Sequence, residues 1–403
     1  MALFSLAANH RNLVETVINP NCLTTIVIPV RDEASCLLKT LESFACQVDF
    51  QNRPLDPSFY EIVIFANNCR DESAAVARRW QRKNHFLNVH IAEAELPKPH
   101  ANIGFVRRLL MNEADRRLRH NKYRSGTIMT TDGDTCVAPN WIAANLREIK
   151  NGADAVGGRI LINPSEIKKM CGKTQRFHLL DTGYRLLAAE LEAYLDYVSH
   201  DYLPRHHQHF NGSFAVTTDA FRQAGGIPDV RFLEDVAFYH SLLRVDARFR
   251  HSPLVRVKTS ARRSGRTESG LSTQINEWMI MGKGSVDYFV ESAQAIERRI
   301  YLRKRLRDLW KSDKDGLSMA EFAALADKLF VSKSFLQIEF HDARTFGGML
   351  EKIECEQTRI GEWNKNHSLV TVEKAVFDLR QILERQRREK RRNCQSFAQT
   401  SSR

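Results

Sequence analysis

The sequence predicts an α/β protein in which a Rossmann-like mixed sheet, flanked by helices, is followed by a helical C-terminal region. Two observations predict it. Over residues 22–266, short runs rich in Val, Ile and Thr alternate with segments whose apolar residues recur every three or four positions. That is the pattern of strands buried on both faces and helices packed against them. After Arg266 the strand pattern fades, and the rest is helical in period and laced with charge. A chain of 403 residues has room for two or three domains, and the division expected is an N-terminal segment 1–21, an α/β domain 22–266 and a helical region 267–403.

The elements follow in order. Thr24–Val30 reads as the first strand, and Leu37, Leu38, Leu41, Phe44, Ala45 and Val48 form the stripe of a helix behind it. Glu61–Ala66 is a second strand, Asp71–Asn84 a helix through Val76, Ala77 and Trp80, Leu87–Ala92 a third strand, and Ile103–Arg119 a basic amphipathic helix. Gly126–Thr131 is a fourth strand that runs into Asp132-Gly133-Asp134. A helix from Pro139 to Lys150 starts with a proline where the missing N–H does no harm. Ala153–Ile162, Ser213–Thr217 and Phe249–Val257 are the remaining strand candidates, with a long helix over Thr174–His200. Beyond them lie helices at Thr273–Trp310, Met319–Leu329 and Val372–Arg392.

Hydrophobic residues at 43% and charged residues at 27% exclude a disordered or low-complexity chain. A net charge of +12 favours anionic partners: nucleotides, phosphorylated substrates, nucleic acid or an anionic membrane surface. The basic run Arg385–Arg392 lacks the interleaved aromatics that stack on bases, so nucleic acid is not expected. A solvated helix end is its ordinary reading, and peripheral contact with anionic lipid its functional one. No stretch approaches the roughly 18 apolar residues of a spanning helix. The first residues carry no basic group ahead of their apolar run, as a secretory signal would. The expected location is therefore cytoplasmic, extending to the inner face of a membrane. The eight cysteines contain no C-x-x-C pair and read as core residues or free thiols.

Strand-ending motifs matter most for function, because in open α/β sheets ligands bind outside the carboxyl ends of the strands. In Asp132-Gly133-Asp134 two carboxylates flank a glycine at such an end, which suits Mg²⁺ or Mn²⁺ shared with phosphate oxygens. An ordinary surface turn is the plain alternative. In Phe232-Leu233-Glu234-Asp235-Val236 an acidic pair opens an amphipathic helix. Complementing the helix dipole explains it blandly, and a general base held near an acceptor hydroxyl explains it functionally. Asn211-Gly212-Ser213 and the turn Gly225-Gly226-Ile227-Pro228 precede the pair and favour the second reading.

Five pieces in order, Ile26 to Glu33, Asn67 to Ser73, the Asp-Gly-Asp triplet, the Gly-Gly-Ile-Pro turn and the Glu-Asp pair, resemble the family-two nucleotide-sugar glycosyltransferases of the GT-A fold over about residues 22–266. The resemblance implies that Pro29, Val30, Arg31 and Glu33 line a nucleotide pocket and that Asn67, Asn68 and Asp71 reach the base. It implies that Asp132 and Gly133 lie by the ribose and metal, that Asp134 is a direct ligand of a divalent cation (Mg²⁺ or Mn²⁺), and that Arg107 and Asn102 touch the donor. Asp235, beside Glu234, is then the base for in-line attack on a nucleoside diphosphate sugar, with inversion. The acceptor is unknown. Family members commonly carry Asp where this chain has Ala66, which leaves the nucleotide open, and the Gln-x-x-Arg-Trp signature of processive synthases is absent, which favours single transfers.

Arg262, Arg263 and Arg266 follow the last strand and are candidates to clamp a diphosphate or anionic acceptor. His206, His207 and His209 suggest an acceptor loop, or less readily a metal site. Trp278 to Met281, beside Tyr288 and Phe289, suit core packing or a dimer contact. Three rival readings stand beside the first: a retaining GT-A enzyme acting on a phosphorylated small acceptor, a catalytically silent scaffold of the same fold, and a nucleotidyltransferase. The last would need a glycine-rich loop after the first strand, and Pro29 to Ser35 contains no glycine.

Overall fold

The computed structural model describes residues 12–119, 125–261, 270–283, 287–312 and 319–400, with side chains to residue 389. By compactness they form two units, one comprising 1–169, 208–243 and 247–276, the other 170–207, 244–246 and 277–403. Both units are discontinuous in sequence, whereas the sequence reading draws one cut near 266.

The first unit is built on an eight-stranded mixed sheet. Its strands are β1 (Thr24–Val30), β2 (Tyr60–Asn67), β3 (Asn88–Ala94), β4 (Thr127–Thr131), β5 (Thr135–Val137), β6 (Ala155–Ile162), β7 (Ser213–Thr217) and β8 (Phe249–Thr259). They lie in the order β3-β2-β1-β4-β7-β6-β8-β5. β1 runs parallel to both β2 and β4, while β7 pairs antiparallel with β4, Thr131 opposite Ser213. The strand ends carrying the motifs therefore share one edge.

β1 and β2 are buried at every position, so both faces of the sheet need a cover. On one face Val27, Val63, Phe65, Ile128 and Phe214 pack with Val106, Leu110 and Ala114 of the helix Ile103–Leu118 and with Phe238 and Leu242 of the helix Glu234–Arg244. On the other, Ile26, Ile28, Ile62, Ile64 and Met129 meet Leu37, Leu41, Phe44, Trp80 and Trp141 from the helices Ala34–Ala45, Ser73–Lys83 and Trp141–Lys150. Alternate residues of each strand feed alternate cores, as a two-residue period requires. The short β5, directly after the acidic triplet, is not signalled by periodicity.

The pair Glu61–Arg117 is enclosed in this unit. Arg117 holds the Glu61 carboxylate with two bonds of 2.7 and 2.6 Å, and Thr25 donates to the same carboxylate at 2.8 Å. Burial alone would raise the Glu61 pKa; Arg117, His90 and Thr25 outweigh it and bring it down to about 2.

The second unit is helical. Its helices include Gly172–Leu195, Ala293–Lys311, Met319–Leu329, Lys333–Asp342, Phe346–Ile360 and Val372–Thr400, with a two-residue ladder of Phe289–Val290 and Val370–Thr371. Leu191, Ile296, Ile300, Leu379 and Leu383 form one core, and Leu306, Phe322, Leu336, Phe340 and Met349 another. The single helix expected over Thr273–Trp310 is two, Leu271–Lys283 and Ala293–Lys311. The strand Phe289–Val290 stands between them, and Ser292 caps the second by accepting from the Ala295 N–H. The helices over 333–360 open on similar caps at Ser332 and Thr345.

Trp278 is buried and packs on His178 at 4.8 Å, so its role is core. In the basic run, Arg385 pairs with Glu297 and Arg387 with Glu190, both at 2.5 Å. Among the described residues no helix is long and apolar enough to cross a membrane.

Candidate active site

Arg107 is the centre of the site. The family resemblance expects Arg107 at the donor; its side chain is only 3% exposed. Asn102 caps this helix by accepting from the Phe105 N–H, which sets Arg107 in the second turn, facing the sheet edge. Its guanidinium donates at 2.7 Å to Asp132, at 3.2 Å to Glu234, at 2.6 Å to the Thr130 hydroxyl and at 3.4 Å to the Asn211 carbonyl. Burial opposes the charge, but Asp132 and Glu234 outweigh it and hold the Arg107 pKa above its ordinary value. One planar fork thus joins the strand-end triplet to the acidic pair.

The triplet is shaped by its glycine. A Cβ at Gly133 would lie 3.2 Å from Glu33 Cγ and Val30 Cγ2 and 3.3 Å from the Pro29 carbonyl oxygen, so the turn rests directly on the end of β1. A Cβ at Gly212 would come within 2.9 Å of Asp132 Oδ2. Asp132 and Asp134 remain partly open, with the Asp132 side chain 40% exposed. Among the described residues no group of three or more His, Cys, Asp or Glu could hold a metal by itself. Two carboxylates at a tight turn still suit a hard cation that takes its other ligands from phosphate and water.

The acidic pair opens its helix after an unusual residue. Leu233 has a φ of 54°, a left-handed conformation that a branched side chain rarely adopts, and it is half exposed. This bend turns the chain from the loop 228–233 into the helix. The loop lies on Gly104, where a Cβ would meet the Val230 carbonyl oxygen at 2.4 Å. Glu234 is buried against Arg107, while Asp235 accepts from the Val236 N–H at 2.8 Å. Burial, with repulsion from Glu234, raises the Asp235 pKa to about 6. A carboxylate of that strength accepts protons better than an ordinary one near neutral pH.

The residues expected at the nucleotide lie at and just beyond the ends of β1 and β2, and several are tied to the backbone. Arg31 donates to the Ala101 carbonyl at 3.0 Å, and the buried Glu33 donates its N–H to Ser73 Oγ at 2.7 Å. Asp71 accepts from the Ala34 N–H at 2.9 Å and the Ser73 N–H at 3.0 Å, which links two helix starts. Asn68, at φ 49°, donates to the Leu96 carbonyl and accepts from the Leu96 N–H, while its buried neighbour Asn67 lies against it at 3.3 Å. His209 stacks on Tyr239 at 4.1 Å. Arg262, Arg263 and Arg266 lie outside the described residues. The bridge at Arg107, the Thr130 contact and the Leu233 bend carry no sequence motif, since each depends on which residues the folded chain brings together.

A parallel β1-β2-β3 wing, an antiparallel β7 beside β4 and acidic motifs on their shared edge define a GT-A-type transferase. The family model described as "Glycosyl transferase family 2" matches residues 25–205. It is a glycosyltransferase; the match ends before Glu234 and Asp235. No curated protein sequence matches the chain. Among solved structures it is similar to TarS 1-349 of S. aureus (12% identity, TM-score 0.39, covering 84% of this chain and 91% of that one). It is also similar to the mannosyltransferase PcManGT of Pyrobaculum calidifontis in complex with GDP-Man and Mn²⁺ (14%, TM-score 0.40, 86% and 78%). A third likeness is to GalNAc-T7 with UDP, GalNAc and Mn²⁺ (15%, TM-score 0.42, 86% and 58%).

Proposed function

We propose that the protein transfers one sugar from a nucleoside diphosphate sugar to an acceptor hydroxyl with inversion, and that Asp235 is the base. The observation that carries this is the Arg107 fork, which fixes Asp132 of the triplet and Glu234 of the acidic pair around one guanidinium. A donor seated by its diphosphate on the triplet then has its sugar next to Asp235.

In the reaction the acceptor oxygen loses its proton to the Asp235 carboxylate and bonds to the anomeric carbon from the face opposite the diphosphate. The bond from that carbon to the diphosphate oxygen breaks, and the nucleoside diphosphate leaves with the electron pair. Asp134, with Asp132 beside it, would hold a divalent cation whose charge offsets that of the diphosphate. Arg107 holds Asp132 and Glu234 in place, and the raised basicity of Asp235 suits proton uptake. The wall of Pro29, Val30, Glu33 and Asn67 takes the nucleoside.

The test is thermal stabilisation by UDP, GDP, dTDP and CDP, each with and without Mn²⁺, on wild type and Asp134→Ala. A ligand at about 100 times its dissociation constant adds roughly 2.7 kcal/mol, which a melting curve resolves. Stabilisation by one nucleotide that requires Mn²⁺ and Asp134 is expected. A cooperatively melting protein that no nucleotide shifts would favour a catalytically silent scaffold.

A further inference from the structure

Asn211 has a buried side chain that nothing in its surroundings explains. The residue is 2% exposed, and neither its Oδ1 nor its Nδ2 has a hydrogen-bond partner among the described residues. Buried amides are otherwise paired, because leaving one unmade forfeits its hydration with no return. The backbone around it is held at the site: its carbonyl accepts from Arg107 at 3.4 Å, and Thr131 Oγ1 donates to the Gly212 carbonyl at 2.8 Å. The antiparallel register sets Thr131 opposite Ser213, and one step further along it Gly212 comes against Asp132. Asn211 is the next residue beyond, on the edge where the acidic motifs meet.

The sheet order gives this position a chemical meaning. From β2 through β1 and β4 to β7, the edge presents the nucleoside wall, then the Asp-Gly-Asp turn, then Asn211. Neighbouring strands are about 4.8 Å apart, so nucleoside, diphosphate and sugar can follow one another across the same strands. A carboxamide offers two donors and an acceptor, which matches a sugar hydroxyl or a vicinal pair of them.

We infer that the Asn211 carboxamide binds hydroxyls of the sugar being transferred and so helps select which sugar is accepted. This rests on the donor-site reading above. Removing an unpaired amide costs the fold little, so its loss should separate binding from stability.

The experiment measures, with Mn²⁺ present, the affinities of UDP, GDP, dTDP and CDP and of UDP-glucose, UDP-N-acetylglucosamine, GDP-mannose and dTDP-glucose. The proteins are wild type, Asn211→Ala and Asn211→Leu, the last being similar in volume and without polar atoms. Melting temperatures are recorded alongside. The expected result is a loss of ten-fold or more in affinity for the nucleotide sugar that wild type prefers, with the matching free nucleotide within two-fold and both variants melting at or above wild type. Equal weakening of nucleotide and nucleotide sugar, no weakening of either, or a fall of several degrees in both variants would make Asn211 a nucleotide contact or a structural residue and overturn the inference. Wild type that binds none of the four nucleotides would instead overturn the donor-site reading beneath it.

Discussion

Arg107 and Asp132 meet at 2.7 Å, and the same guanidinium reaches Glu234 at 3.2 Å, so one side chain sets the spacing between the two acidic motifs of the site. Removing it strands two carboxylates, one of them buried, and breaking a buried pair from one side costs about 3–5 kcal/mol. Arg107→Ala should therefore melt well below wild type and be inactive. Arg107→Lys keeps the charge without the fork, so it should retain most of the stability and lose at least ten-fold in kcat. Thermal melts beside initial rates check this; full activity in Arg107→Lys would deny the fork its positioning role.

The pKa of Asp235, near 6, predicts an acid limb in the rate profile. A base must be unprotonated, so kcat/KM should rise with pH and level off above about 7, and Asp235→Asn should remove activity while leaving nucleotide binding intact. Glu234→Gln takes away a like charge and should shift the limb to lower pH. Stability runs the other way. Because the folded pKa lies above the ordinary 3.8, the group's contribution to stability is complete below that value and is lost as pH rises through about 6. An Asp235→Asn protein whose stability relative to wild type did not change between pH 4 and pH 7 would contradict the raised pKa.

Much of this is legible in the chain alone, and the reason is physical. β1 and β4 are short apolar runs ended by polar motifs, so their boundaries and their exposed edge follow from burial and turn chemistry. Asp132 and Asp134 stand out because they follow such an end, and Glu234 and Asp235 because they open an amphipathic helix. Pairings between distant segments are what the chain conceals. Arg107 looks like any basic helix residue until Glu234, from 127 positions further on, is folded against it. Leu233 looks like part of an apolar run, and only its backbone reveals the bend. The helices Lys333–Asp342 and Glu362–Asn366 are hidden for a different reason: they are short, and no long apolar stripe runs through them.

The bend at Leu233 yields a separable prediction. A left-handed conformation costs a non-glycine residue roughly 1–2 kcal/mol, and glycine adopts it freely. Because Leu233 is half exposed, truncating its side chain forfeits little apolar burial. Leu233→Gly should thus unfold at higher denaturant than wild type. It should also turn over more slowly, since the helix start that carries Asp235 becomes freer to move. Chemical denaturation and kcat, measured on one preparation, test both halves. A variant both less stable and fully active would show that the bend neither strains the chain nor aims the base.

The Glu61–Arg117 pair gives the last prediction, for the foundation of the sheet rather than the site. Both side chains are about 2–3% exposed, and the Glu61 pKa of about 2 lies below its ordinary 4.5. In wild type the pair therefore adds its full stability above that ordinary value and loses it as the pH falls from there through about 2. In Arg117→Ala burial acts unopposed by that guanidinium, so the carboxyl pKa rises and the folded protein gains from taking up a proton. The deficit of the variant should be large at pH 7, about 3–5 kcal/mol, and should narrow on going to pH 4 as Glu61 becomes neutral. Urea titrations of the two proteins at both pH values measure it. A deficit that stayed constant would mean that Arg117 stabilises the sheet by packing its alkyl chain, with the charge of Glu61 playing no part.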